Sequence, residues 1–174
     1  NGAGKSTFVK MLAGLLSPTA GKGWLLGEPI TSPAARRAVG YLPEKFASHP
    51  WLTALEVLTL HGRLSDMKPD DISRRSREVL ALAGLAGREH RRVGSFSKGM
   101  QQRLGLAAAL IADPQLLLLD EPLSALDARV RADMRTEIRD VQRRLGIPTI
   151  MVTHDQEEAL TLADTVVCMN DGRI

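Results

Sequence analysis

An α/β fold, with a mainly parallel sheet and an inserted helical segment, is what the sequence predicts on three observations. Gln115 to Leu119 is a run of leucines with no polar alternation, the mark of a strand buried on both faces. Apolar runs alternate with helical stripes through the second half of the chain. From about Lys45 to Asp113 the apolar spacing is helical throughout, punctuated by Gly84 and Gly87.

Each element follows in order. A helix is expected from about Lys5 to Leu16, with Phe8, Met11, Leu12, Leu15 and Leu16 on one face, stopped by Ser17-Pro18-Thr19-Ala20-Gly21. Short extended pieces follow at Trp24 to Leu26 and Val39 to Leu42. The helical stretch carries Leu52, Leu55, Val57 and Leu58, then Ile72, Val79, Leu80 and Ala83. After the leucine strand, Asp127 caps a helix striped by Val130, Met134, Ile138, Val141 and Leu145, which Gly146 and Pro148 end. Thr149 to Thr153 is the next buried strand, and Asp155 to Ala163 a short helix with acidic residues in its first turn, where the macrodipole favours them. Val166 to Met169 reads as a last strand, with Cys168 buried in it, and Asp171-Gly172 as a turn.

Composition narrows the class. The 174 residues suffice for one domain with its own core, and 44% hydrophobic and 25% charged residues are ordinary for a globular chain. Aromatics at 3% are too scarce for base-stacking platforms, and a net charge of +3 is too mild to argue for nucleic acid, so no nucleic-acid partner is expected. Residues 45–113 hold eleven basic and seven acidic side chains, a +4 excess that reads as a solvated surface. No apolar run approaches the length that crosses a bilayer. One cysteine makes no internal disulfide, which fits a reducing compartment. Asn1 is not Met and stands inside a glycine-rich loop, so the chain is expected to be truncated at its N-terminus.

That loop is the most specific local feature. Asn1-Gly2-Ala3-Gly4-Lys5-Ser6-Thr7 matches the end of G-x-x-x-x-G-K-[ST]. Glycines let backbone N–H groups wrap a phosphate without side-chain clashes, and the helix that follows aims its N-terminus at the same anion. Lys5 places a charge between β- and γ-phosphates, and Ser6 offers a hydroxyl to Mg2+. Asp120 and Glu121 then end the leucine strand, where ligands sit on open α/β sheets. Asp120 is expected to hold Mg2+, and Glu121 to act on the attacking water as general base. His154 follows the next strand at the same edge, within reach of a γ-phosphate.

One further segment discriminates among ATP-using chains. Ser95-Phe96-Ser97-Lys98-Gly99-Met100-Gln101-Gln102-Arg103-Leu104 resembles the signature motif of ABC ATPases, usually Leu-Ser-Gly-Gly-Gln. Ser97 and Gly99 match, while Phe96, Lys98 and Met100 replace Leu, the first Gly and the Gln. Ser97 is positioned to cap a helix running through Ala112. Ser124-Ala125-Leu126-Asp127 resembles the family's D-loop, and Gly40-Tyr41-Leu42-Pro43-Glu44 its Q-loop, with Glu44 in place of Gln as a third Mg2+ ligand beside Ser6 and Asp120. The resemblance spans the whole chain.

It implies a P-loop NTPase core of the RecA-like kind at residues 1–44 and 114–174, with residues 45–113 a helical subdomain ending in the signature helix. It also implies ATP and Mg2+ as cofactors, Glu121 and His154 as catalytic residues, and Asn1 to Thr7 on the nucleotide. Two copies pair head to tail, as a homo- or heterodimer, with Ser97, Lys98, Gly99 and Met100 reaching the partner's γ-phosphate. Transmembrane permease subunits are the other implied partners, at the cytoplasmic face of the membrane. The family's upstream strands, including an aromatic that stacks on adenine, and the segments after Ile174 are expected outside this chain, so a poorly active fragment is one reading.

The branch is divided. Glu44, the Phe96 to Met100 segment and Leu60-His61-Gly62-Arg63-Leu64 resemble bacterial exporter ATPases. Ala128-Arg129-Val130-Arg131 and Thr153 to Leu160 resemble importer ATPases. A chimeric sequence and an uncommon branch both account for this. Because the helical insert is where the family docks its membrane subunits, export is the expectation and import the alternative. A non-transport ABC ATPase acting on ribosomes or DNA is the rival from another class; the second ATPase domain or long coiled coil typical of such members does not occur in the sequence. Trp51 reads either as ordinary helix packing or as part of the docking groove at Lys45 to Thr53.

Overall fold

The leucine run becomes the central strand of a parallel sheet. In the computed structural model, which describes residues 3–173, β4 (Leu116–Asp120) lies between β3 (Val39–Leu42) and β5 (Thr149–Val152). The register pairs Val39 with Leu116 and Leu42 with Leu119 on one side, and Leu117 with Thr149 and Asp120 with Val152 on the other. Alternate side chains of a strand point to opposite faces. Leu117 and Leu119 enter one apolar cluster, and Leu116 and Leu118 enter another. Both faces are covered, so every β4 residue is buried and none of the leucines has cause to be polar.

The larger cluster is built by four helices on one face: α3 (Ala54–Leu64), α4 (Pro69–Leu82), α5 (Lys98–Leu110) and α6 (Ala128–Leu145). Thr53 and Glu56 start α3 with a reciprocal cap. The Glu56 N–H donates to Thr53 Oγ1 at 3.2 Å, and the Thr53 N–H donates to Glu56 Oε2 at 2.7 Å. These bonds hold the Glu56 carboxyl below its usual range. Asp70 and Asp71 fill the first turn of α4 after Pro69. Nine α5 residues are buried, because this helix lies between the sheet and its sister helices. Met134, Ile138 and Val141 bury the stripe of α6, which begins at the Asp127 cap and ends at Gly146.

The opposite face carries α1 (Lys5–Leu12), whose Val9 and Leu12 pack on Leu116, Leu118 and Val152. A two-stranded antiparallel ribbon of β1 (Trp24–Leu25) and β2 (Glu28–Pro29) and the short α2 (Pro33–Arg37) follow it. The chain closes with α7 (Gln156–Leu162), capped by Asp155.

Four expectations need correction. First, α1 stops at Leu12 rather than Leu16. Gly14 turns left-handed at φ 72°, its N–H bonds Met11 O, and the Leu15 N–H bonds Lys10 O, a paired closure that ends the helix. Leu15, Leu16 and Phe8 are therefore exposed, and Val9 takes the core position. Second, Val166 to Met169 forms no strand. A strand needs a hydrogen-bonded neighbour, and among the described residues this segment has none; β5 is the last strand of its sheet. Third, Cys168 is exposed rather than buried, for the same reason. Fourth, the strand at Thr149 to Thr153 is not buried as expected: only Val152 of β5 is buried and Ile150 is exposed, because among the described residues β5 has a strand neighbour on one side only.

Candidate functional site

In-register parallel strands end level with one another. Leu42, Asp120 and Val152 finish β3, β4 and β5, and the next residues carry the chemistry. Parity along β4 puts Asp120 on the face of Leu118, which is the face of α1. Asp120 is 2% exposed. Its Oδ2 accepts from the Tyr41 hydroxyl at 3.4 Å, while Oδ1 is buried with no protein partner. Burial first, and then the Asp120 charge and hydrogen bond, push the Tyr41 phenol up to about 12. Tyr41 thus stays a donor across physiological pH.

Glu121 begins the turn after β4 in a left-handed conformation, φ 49°, and its N–H bonds Val152 O at 2.8 Å. A non-glycine residue held there costs about 1 kcal/mol, a strain that clusters at functional positions. The turn swings the Glu121 carboxylate to His154, with Oε2 at 2.5 Å from Nδ1. A carboxylate accepts, so Nδ1 carries the proton and Nε2 is the free end of the ring. Ser124 joins them along a cavity of about 30 Å³ shared with Arg131, Thr153, Asp155 and Glu158.

The loop residues lie at the start of α1. Asn1 and Gly2 fall outside the described residues. Ala3 and Gly4 lead in, and Gly4 adopts φ 89°, a conformation that favours glycine. No side chain caps α1, so its first-turn N–H groups are available to an anion. Lys5 and Ser6 are half-buried and Thr7 is exposed. Lys5 and Thr153 border one wide groove along β5, which also takes in Phe8, Ile150 and Val166. Glu44 is exposed two residues beyond β3.

For a resident Mg2+, the donor chemistry fits. Such ions take oxygen ligands, usually one or two carboxylates completed by substrate phosphates and water. The orphaned Oδ1 of Asp120 supplies one buried anionic oxygen, and Ser6 and Glu44 are the further oxygen donors. Among the described residues no group of three or more His, Cys, Asp or Glu side chains stands together.

The signature-like segment is elsewhere on the surface. Ser97 caps α5, accepting from the Met100 N–H at 3.3 Å, and Ser97 and Lys98 are exposed. Gly99 is buried and Met100 half-buried, because α5 presses on α6: a Cβ at Gly99 would collide with Val130 Cγ1. In the D-loop-like turn Leu126 is buried, Ser124 half-buried, and Ala125 and Asp127 exposed. The fold thus gathers Asp120, Glu121, Ser124 and His154 at one sheet edge, and leaves Ser97 and Lys98 facing outward at another helix end while Gly99 packs inward.

Sequence reasoning gave no role to Tyr41, Arg131, Thr153 or Glu158. Tyr41 was within reach of a parity argument, since its register partner Leu118 shares a face with Asp120. The other three make their contacts with residues of separate elements or turns, which no local pattern in the sequence signals.

Comparison with known proteins identifies the family. The family described as ABC transporter matches residues 1–124. The Fe(3+) ions import ATP-binding protein FbpC of Brucella abortus (strain 2308) is 45% identical over 175 aligned positions, covering 100% of this chain and 50% of that protein. The sulfate/thiosulfate import ATP-binding protein CysA 2 of Chromobacterium violaceum is 48% identical, covering 100% of this chain and 48% of that protein. The chain spans about half the length of the curated relatives it matches. Among solved structures, cbiO1 from Clostridium perfringens, part of the ABC transporter complex cbiONQ, superposes with a TM-score of 0.86 at 27% identity, over 99% of this chain and 71% of that one. An ATP-binding cassette solved as a dimer in a post-hydrolysis state with ADP and Pi superposes with a TM-score of 0.82 at 26% identity, over 98% of this chain and 78% of that one. With an α/β P-loop fold, a family match over most of its length and relatives alike from end to end, this chain belongs to the ABC transporter ATP-binding family.

Proposed function

We propose that the protein binds and hydrolyses ATP to power solute import, as the ATPase subunit of an ABC transporter. The observation that carries this reading is the Glu121–His154 contact at 2.5 Å beside the buried carboxylate of Asp120. Backbone N–H groups of residues 1–7 and the Lys5 ammonium hold the β- and γ-phosphates. Glu121 takes a proton from water as the water oxygen bonds to the γ-phosphorus. The bond from that phosphorus to the bridging oxygen breaks, and ADP and inorganic phosphate leave. His154 holds Glu121 through its Nδ1–H and presents Nε2 to the γ-phosphate, where it donates only when the ring carries both protons. Ser6, Asp120 and Glu44 would hold a Mg2+ ion, which would neutralise phosphate charge. Tyr41 orients Asp120.

Ser97, Lys98, Gly99 and Met100 would serve a second copy, docked head to tail, with Ser124 to Asp127 at the seam. The dimeric form of a structural relative supports this pairing. Residues 45–113 would act as the helical subdomain that meets the permease, and the assembly would sit on the cytoplasmic face of the membrane. Among the described residues no helix is long and apolar enough to cross it.

Export, expected from the resemblance of the helical insert, gives way to import, because relatives matching the entire chain are named as import proteins. The test is Glu121→Gln in the full chain. Nucleotide binding should persist, and phosphate release should fall by about 10²–10⁴-fold, the worth of a general base. Unchanged turnover would remove Glu121 from this role. Uptake rather than efflux in vesicles carrying the cognate permease checks the direction.

A further inference from the structure

We propose that Arg131 is a positioning residue for His154, tying the turn after β4 to the turn after β5. The inference rests on the hydrolytic reading of Glu121 and His154 above. Arg131 lies in the first turn of α6, and its guanidinium reaches two separate segments. Nη2 donates to the Leu126 carbonyl at 3.1 Å, inside the turn that starts at Glu121. On its other side, Nη1 stands 3.7 Å from Asp155 Oδ2 and Nε 4.0 Å from Glu158 Oε1.

Glu158 makes the link demanding. It is 3% exposed, yet it faces the groups that set the His154 backbone. Its Oε2 accepts from the Thr153 hydroxyl at 2.7 Å, and Thr153 Oγ1 accepts from the Asp155 N–H at 3.0 Å. His154 is therefore held between two residues that are both fixed by this network. A buried carboxylate without a cation is costly, and Arg131 is the cation that faces it, since Arg135 pairs with Glu157 instead. Asp155 is held below the usual carboxylate range by the N–H groups of Glu158 and Glu157 and by the nearby arginines, so it too faces Arg131 as an anion.

The cavity of about 30 Å³ behind Glu121 and His154 is bounded by these same residues and by Ser124. Movement of the turn that carries Ser124 and Leu126 is thus transmitted through one guanidinium to Thr153, His154 and Asp155. Removing Arg131 frees the two turns from each other and leaves Glu158 an unpaired buried charge.

The test reads His154 directly in the nucleotide-free full chain, by its imidazole proton resonances, assigned by their loss in His154→Gln. Arg131→Met should move the His154 resonances towards free-histidine positions, and Arg131→Lys should move them less. Turnover in Arg131→Met should drop by about 10-fold or more, as misplacement of about 1 Å costs up to about 10²-fold, while the KM for ATP stays within about twofold. If Arg131→Met does not fold, Arg131→Met/Glu158→Gln removes the stranded charge, and the same displacement is expected there. Unmoved His154 resonances in a folded Arg131 variant would overturn the proposal. The resonance measurement needs no turnover. A wild-type chain that released no phosphate would sink the hydrolytic reading while leaving the link between the turns to be judged by its own signal.

Discussion

Tyr41 is the sole tyrosine of the chain, and it touches the carboxylate on which the candidate site is centred. Its phenol is raised from 10.0 to about 12, so the folded state binds that proton more tightly than the unfolded chain does. The stability this contributes is fully present below about pH 10 and is lost as pH rises towards 12. Tyrosinate absorbance should therefore titrate later in the folded chain than in denaturant, and Asp120→Asn should bring the folded midpoint down. Tyr41→Phe should flatten the alkaline loss of stability relative to wild type; an identical loss in the two would show that the phenol is not so held. Glu121 beside it illustrates strain placed at a working position. Its left-handed backbone is what turns its carboxylate from the sheet axis towards His154.

At the scale of elements, the contact between α5 and α6 decides how the signature-like segment is presented. Gly99 lets α5 approach so closely that an added methyl would strike Val130, a β-branched side chain with little rotamer freedom. Gly99→Ala should lower stability by about 1–3 kcal/mol through overpacking. Gly99→Ala/Val130→Ala should recover much of it, and thermal unfolding of the four proteins of the cycle measures that coupling. Additive losses would mean the two helices are not in this contact. Lys98, the neighbour, is exposed and meets no such constraint. A charged residue therefore stands where the family usually has glycine without disturbing the packing.

For the whole molecule, the outward-facing end of α5 is the feature that a single copy leaves without a partner. Head-to-tail pairing would bring Ser97 to a second copy's phosphate. Ser97→Glu, which would set a carboxylate against that phosphate, should abolish ATP-dependent dimerisation and turnover, whereas nucleotide binding by the single copy stays within about twofold, the proposed site for it being at the start of α1. Sedimentation of Glu121→Gln, with and without the Ser97 change, distinguishes the two. Dimers that persist with Ser97→Glu would place the pairing surface elsewhere.

Much of this protein was legible before any coordinates. The leucine run predicted a doubly covered strand, Asp127 and Ser97 predicted their caps, and the stripe on α6 predicted its buried face. These features are local: propensity, capping and period act over a few residues, so a single pass along the chain contains them. Tertiary structure alone decided that Val166 to Met169 has no strand partner among the described residues, because a strand exists only if another strand lies beside it. It alone decided that Tyr41 meets Asp120 across 79 positions, that Glu121 meets His154 across 33, and that Arg131 joins two turns. Such contacts form where separate elements are brought to one sheet edge, and that arrangement is set by burying the helices against both faces of the sheet, not by any short stretch of sequence.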